Sequence, residues 1–230
     1  MDATSVFTDF QFSDLGFLLE AAGRTLLISV LAISIGTVFG CMFGWVLSVA
    51  KTAGNITLGL ILDVFRSVPL IIQLILFYNF FPIIGFNLSP FAAGTVVLVF
   101  YTSALVAAVA RGGIDSVSVD LRRASRSLGM TYWQDLRYVV CPIGLRAVLP
   151  SWAGVALGVL KDSALVSVLG YVELLRASQI LITRTQEPFL IITVVGAFYF
   201  ALSFPISRLS ARLERRWQYD GDQRRQKIIR

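Results

Sequence analysis

Hydrophobic residues in this chain gather into long runs, and polar residues gather between them. A helix needs about 20 mostly apolar residues to cross a bilayer, and five runs of about that length are bounded by charge, Pro or Gly. They are predicted at 25–50, ending at Lys51; at 56–81, closed by Pro82 and Gly85; at 90–110, closed by Arg111, Gly112 and Gly113; at 150–171; and at 188–206. In the first run Gly36, Gly40 and Gly44 are spaced four apart, with Gly23 upstream of them. Such a stripe is a seam for close helix approach, or the ordinary abundance of glycine in membrane helices.

Between the third and fourth runs lie about 40 residues, too long for a simple turn and too charged for lipid. The segment 119–128 reads as a short helix with Leu121, Ala124 and Leu128 on one face and Arg122, Arg123 and Arg126 elsewhere, stopped by Gly129. A second short helix is predicted over 132–140, capped by Thr131 and ended by Pro142. This helix-turn-helix unit is either an amphipathic segment resting on anionic lipid or a docking element for a partner's groove.

Composition supports the membrane reading. Of 230 residues, 56% are hydrophobic and 15% charged, more apolar surface than a soluble core of this size would bury. Histidine is absent, which removes the commonest general base and metal ligand, and Cys41 and Cys141 have no metal-ligand spacing. No catalytic or metal site is predicted. The net charge of +6 does not point to nucleic acid, because the basic residues flank apolar runs without interleaved aromatics. Met1 to Asp14 is acidic and polar where a signal peptide would be basic, so the first run is expected to be a retained span.

Basic residues also give an orientation. With the N-terminus outside, Lys51, the arginines from Arg111 to Arg146 and those from Arg208 to Arg230 are cytoplasmic, and only Arg24, Arg176 and Arg184 lie near the outer surface. The 208–230 tail then rests on the inner membrane surface.

Charges within the runs need partners or water. Arg66, just before Pro69, is placed to pair with Asp63 three residues earlier, or to meet substrate or the cytoplasmic unit. Lys161 and Asp162 adjoin and point to different faces. They belong either to a buried polar network or to a pathway for a zwitterion, whose ammonium and carboxylate need opposite partners. Gln73, Asn79, Tyr101, Ser103 and Glu173 are further candidates for that pathway.

The stretch DLRRASRSLGMTYWQDLRYVVCPIGLRAVLP, residues 120–150, resembles the cytoplasmic coupling signature of bacterial ABC importer permeases: Glu-Ala-Ala, three residues, Gly, then a later Leu-Pro. Ala124 matches an Ala, Ser125 replaces the next, Gly129 matches the Gly, Leu149 and Pro150 match the ending, and Arg123 stands in place of the Glu. DVFRSVPLIIQLIL at 63–76 resembles the Phe-Arg-Gly-Thr-Pro-Leu segment of the polar amino-acid branch, with Ser67 and Val68 replacing Gly and Thr. Arg111 to Ile114 resembles the end of that branch's third span, residues 161–165 its Lys-Asp-Thr-Ser-Leu box, and Glu173-Leu174 follows in place. The order and spacing of these motifs cover nearly the whole chain.

The resemblance implies an all-α integral membrane protein of the type I ABC importer permease kind, with about five transmembrane helices and a cytoplasmic coupling loop. Its parts would be an extracytoplasmic segment at 1–22, the permease domain at 23–209 with its loop at 111–150, and a basic tail at 210–230. Arg123, Ala124, Ser125, Leu128, Gly129 and Met130 would couple to a separate ATP-binding subunit. Gln73, Tyr101, Lys161, Asp162 and Glu173 would line the substrate pathway. The other implied partners are a second permease subunit, identical or similar, a soluble extracytoplasmic amino-acid-binding protein and membrane lipid, with this chain in the bacterial cell inner membrane. This chain has no G-x-x-x-x-G-K-[ST] loop and is read as non-enzymatic, with no cofactor of its own and with ATP and Mg on the partner. Acidic, basic and neutral amino acids, and opine derivatives, are all compatible cargo. The rival readings are an ion-coupled transporter or channel, which would often show repeats or interrupted half-helices, and a membrane anchor for a partner.

Overall fold

A computed structural model of the chain describes the backbone of residues 10–49 and 52–229 and the side chains of residues 10–49 and 56–212. The charge expectations at Asp2, Asp9, Lys51 and the 213–230 side chains fall outside the described residues. Every described element is helical: α1 Phe12–Val49, α2 Thr52–Ser67, α3 Leu70–Ile83, α4 Pro90–Asp115, α5 Val119–Ser127, α6 Tyr132–Asp135, a π turn Leu136–Val140, α7 Cys141–Asp162, a 3-10 segment Ser163–Leu169, α8 Leu174–Thr185 and α9 Pro188–Ile229. Four stretches are long and apolar enough to cross a membrane: Phe12–Val49, Pro90–Asp115, Tyr132–Leu169 and Pro188–Arg212. The bent pair α2 and α3 makes a fifth. At 12 residues α8 is too short to cross.

The run predicted at 56–81 is not one helix. It breaks at Val68 and Pro69, where α2 and α3 meet at 105°. Pro69 has no N–H to bond the carbonyl of Phe65, and its ring disfavours helical backbone at Val68. Gln73 replaces the missing donor: its Nε2 donates to Phe65 O at 2.8 Å and to Val68 O at 2.7 Å. The freed end of α2 is therefore capped from inside α3, and the elbow keeps its buried carbonyls satisfied.

Other boundaries also move. α4 runs through Gly112 and Gly113 to Asp115 instead of stopping at Ala110. Gly113 is used for packing: a Cβ on Gly144 of α7 would lie 2.6 Å from Gly113 O. Pro142 does not end the second short helix but is the second residue of α7, directly after the π turn, and the helix continues through it. Pro150, expected to open the fourth span, lies inside α7.

α4 is the central helix, packed on α1, α2, α3 and α7. Lipid tails are as apolar as leucine, so van der Waals contact and hydrogen bonds, rather than burial from water, hold the spans together. The glycine seam on α1 supplies that contact. Cβ atoms on Gly36 and Gly40 would lie 2.6 Å from Thr102 Cβ and 2.5 Å from Val106 Cβ, and one on Gly44 would lie 2.7 Å from Ala107 O. Gly23 has nothing within 4 Å and is not part of the seam. Ile28, Leu74, Leu98, Val159 and Val166 form the core beneath the α2–α3 elbow. Leu18, Leu174, Leu181 and Ile191 join α1 to α8 and α9.

α1 is also bonded along its length to the C-terminal half. Thr25 Oγ1 accepts from Leu174 N at 3.1 Å, Ser29 Oγ donates to Ser163 Oγ at 3.1 Å, Thr37 Oγ1 accepts from Trp152 Nε1 at 2.9 Å, and Trp45 Nε1 donates to Tyr132 Oη at 3.0 Å. Asp14, at the start of α1, is buried and ion-paired with Arg184 near the end of α8.

Candidate functional site

The residues of interest fall in two regions, the helix-turn-helix unit and the polar positions where α4, α7 and the 3-10 segment meet.

In the unit, Ser118 caps α5 by accepting from Leu121 N, and Gly129 turns the chain at φ +85°, a conformation that side chains with a Cβ resist. Thr131 begins α6 with a capping box: its hydroxyl accepts from Gln134 N, and Gln134 Oε1 accepts from Thr131 N at 2.8 Å. The two helices are fastened by Asp135, fully buried, which accepts from Ser125 Oγ at 2.6 Å and pairs with Arg122 Nε at 3.3 Å. With Arg122 and Ser125 turned inward, the apolar side chains face out: Val119, Leu121, Leu128, Trp133 and Tyr138 are exposed, Leu128 by 81%. Arg123, in place of the motif Glu, is exposed and pairs with Asp120 at 3.8 Å. Ala124 is exposed and Met130 is partly buried. The unit therefore presents exposed apolar side chains beside its exposed charges, a surface of the kind that rests on lipid or docks into a partner's groove.

Among the polar positions, the structure brings Tyr101 and Asp162 together. Both are half-buried, and Asp162 is near enough to act electrostatically on the Tyr101 hydroxyl. Lys161 and Asp162 lie within the Tyr132–Leu169 stretch. They are the last residues of α7, where the backbone tightens into the 3-10 segment, and Lys161 is exposed. Gln73 and Glu173 are not part of this cluster. Gln73 caps α2 at the elbow, and its Oε1 is buried without a hydrogen-bond partner among the described residues. Glu173, fully buried between the spans, caps α8 by accepting from Leu175 N and Arg176 N, each at 2.8 Å, and from Tyr199 Oη at 3.2 Å. Burial pushes the Glu173 carboxyl above its ordinary range, and these donors pull it back. Ser103 is buried and bonds Val99 O within its own helix, while the exposed Asn79 bonds Ile75 O.

Asp63 and Arg66 are ion-paired on one turn of α2. Arg111 and Asp115 pair at 3.5 Å on α4, and both pairs line one crevice of about 540 Å³ floored by Ala104, Ala107 and Ala108.

Asp135 and Trp45 were not singled out from sequence. The spacing of Ser125 and Asp135 gives no periodic signal, because they meet across a turn. Trp45 stands among apolar neighbours with nothing to mark its indole N–H as a contact.

The family model described as binding-protein-dependent transport system inner membrane component matches residues 15–219. The chain is 32% identical over 202 residues to the glutamine transport system permease protein GlnP of Escherichia coli (strain K12), covering 86% of this chain and 92% of that one. It is 31% identical over 213 residues to the "Probable glutamine ABC transporter permease protein GlnM" of Bacillus subtilis (strain 168), covering 89% and 95%. A solved structure described as an amino acid ABC transporter with histidines superposes with a TM-score of 0.79 at 30% identity, over 91% of this chain and 100% of that one. An inward-facing MetNI methionine ABC transporter chain also gives a TM-score of 0.79, at 21% identity over 90% and 98%, a likeness of fold.

Proposed function

We infer the task of this chain from one premise: it belongs to the inner membrane components of binding-protein-dependent transport systems. In this reading it is the permease subunit of an ABC importer for a polar amino acid or amino-acid derivative, as the names of its relatives suggest. Two permease subunits, identical or similar, enclose the path. ATP and Mg bind to a separate subunit on the cytoplasmic side, and a soluble binding protein delivers cargo from outside.

The single observation that carries the coupling half is the outward apolar face of the helix-turn-helix unit, held by the Asp135 clasp. Residues 123–130 form the rim of that face, where Arg123, Ala124, Ser125, Leu128, Gly129 and Met130 meet or support the ATP-binding subunit. Basic residues around this unit favour a cytoplasmic position for it and for the C-terminus, with the N-terminus outside. Residues 1–22, 23–209 and 210–230 are then outer segment, permease domain and inner-surface tail.

For cargo, Asp162 faces an ammonium and Lys161 a carboxylate, with Tyr101 as a neutral partner. Gln73, bonded to the backbone of α2, and Glu173, bonded to the start of α8 and to Tyr199, shape the path at the elbow and at α8 rather than touch cargo.

The test is copurification with the products of neighbouring genes in mild detergent, then uptake and ATP hydrolysis in proteoliposomes with binding protein and candidate amino acids. Binding-protein-stimulated hydrolysis with uptake supports the reading. Uptake by this chain alone under an ion gradient overturns it. Lys161→Met and Asp162→Asn are expected to lower uptake at least tenfold, a loss of about 1.4 kcal/mol of stabilisation for the moving zwitterion. Unchanged uptake in both would return these residues to a structural role.

A further inference from the structure

We infer that Trp45 is a positioning residue for energy coupling: a strut that makes the helix-turn-helix unit move with the inner end of α1. This rests on the permease reading above.

Of the side-chain bonds that tie α1 to the C-terminal half, those of Asp14, Arg24, Thr25, Ser29 and Thr37 reach α7, the 3-10 segment, α8 or the connection just before α8. Among the described residues, Trp45 is the one whose side chain bonds the unit. Its Nε1–H donates to Tyr132 Oη at 3.0 Å, and its ring lies 5.6 Å from that of Trp133. Tyr132 and Trp133 stand edge to face at 5.5 Å, and the guanidinium of Arg126, from α5, lies 5.6 Å from the Tyr132 ring. One aromatic cluster thus joins α1, α6 and α5. Aromatic and cation–π contacts of this kind add a directional attraction that aliphatic packing lacks.

Position matters as much as strength. Gly44, one residue before Trp45, brings α1 against Ala107 and Ala110 of α4. On the other side, α6 passes through the π turn into α7. The unit is covalently joined to α4 and α7 but reaches α1 only through side chains, so a push received by α5 and α6 is shared with α1 through Trp45. Without the strut, α4 and α7 would move while α1 lagged behind its glycine seam. Asp135 keeps the unit from yielding internally, which leaves Trp45 as the point where the push is passed on.

The experiment measures amino acid transported per ATP hydrolysed in the complete complex, reconstituted with its binding protein. The variants are Trp45→Phe, which removes the N–H and keeps an aromatic ring; Tyr132→Phe, which removes only the hydroxyl; and the pair together. Trp152→Phe is the control, since it deletes the comparable indole bond to Thr37 outside the unit. The expected result is a threefold or greater fall in transport per ATP for Trp45→Phe and Tyr132→Phe, no further fall in the double variant, and a wild-type ratio for Trp152→Phe. A merely structural role would lower the amount of complex without moving this ratio. Wild-type ratios in both single variants, or an equal fall in Trp152→Phe, would overturn the strut while leaving the importer reading intact. Absence of ATP-driven uptake in the unmodified complex would overturn both. If Trp45→Phe fails to assemble, Tyr132→Phe alone decides, because the loss of one hydroxyl preserves every ring contact.

Discussion

Replacing Gln73 by Leu should loosen the elbow that breaks the second span. The perturbation removes the Nε2 donor while keeping an apolar side chain of similar size, so the carbonyls of Phe65 and Val68 lose bonds of 2.8 and 2.7 Å. Leaving a buried acceptor unpaired costs about 1–3 kcal/mol, and hydrogen bonds within membrane proteins average roughly 0.6 kcal/mol. Two carbonyls together then cost about 3 kcal/mol, against which removing the unpartnered Oε1 returns about 1 kcal/mol. The net loss of about 2 kcal/mol should lower the unfolding midpoint in detergent, followed by tryptophan fluorescence, by about 4–8 °C on soluble-domain scaling. The decisive arm is a cycle with Pro69→Ala. An alanine there supplies the N–H that Phe65 O lacks, so Gln73→Leu should cost about 1 kcal/mol less in the Pro69→Ala background than alone. Gln73→Leu costing under about 0.5 kcal/mol, or additive losses in the cycle, would refute the account of Gln73 as the donor that Pro69 cannot be.

The α1–α4 seam predicts that Gly40→Val is severe, since its Cβ would fall 2.5 Å from Val106 Cβ and 2.9 Å from Ser103 O, forcing backbone apart at a cost of about 3 kcal/mol. Gly23→Ala, with nothing within 4 Å, should instead gain about 0.5–1 kcal/mol from helix propensity; folded yield and unfolding midpoint compare the two. Glu173 predicts a pH dependence. Its carboxyl is raised by burial, so the folded state holds a proton that the unfolded state releases near the ordinary carboxylate value of 4.5. Stability from this group therefore falls as pH rises from there through the higher folded value, and is flat above it. Glu173→Gln should remove that slope whatever its offset, measured as unfolding midpoints from pH 4.5 to 8; an unchanged slope would mean another group carries it.

What was legible in the sequence was what depends on neighbours in the chain. The long apolar runs, the Thr131 cap, the Gly129 turn and the Asp63–Arg66 pair all involve residues within a few positions of one another, and the structure contains each of them. The Gly36, Gly40 and Gly44 stripe was legible as a face, though not which helix it would meet. The site was less so. Lys161 and Asp162 were read as charges within the fourth span, and nothing local signals that α7 tightens to a 3-10 segment right after them. The Asp135 clasp, the Tyr101 and Asp162 proximity and the Trp45 rung are contacts between distant segments, which no period or motif encodes.

The prolines show why local signals mislead at boundaries. Pro69 and Pro142 stand at or beside helix starts, Pro90 and Pro188 open α4 and α9, where a missing N–H is harmless, and Pro82, Pro150 and Pro205 lie inside helices. Read from sequence, Pro142 looked like an end and Pro150 like a beginning, yet α6, the π turn and α7 run on through both. The π turn Leu136–Val140 makes this possible, because the wider turn just before Cys141 takes up the irregularity that Pro142 brings to a continuing helix. At Pro69 the chain bends instead of continuing, and there a side chain four residues on supplies the absent donor. A proline in a membrane run breaks the span when the bent form can satisfy the carbonyl it frees. Gln73 therefore carries as much information about the elbow as Pro69 does, and the pair, rather than either residue, is the signal to seek in a sequence.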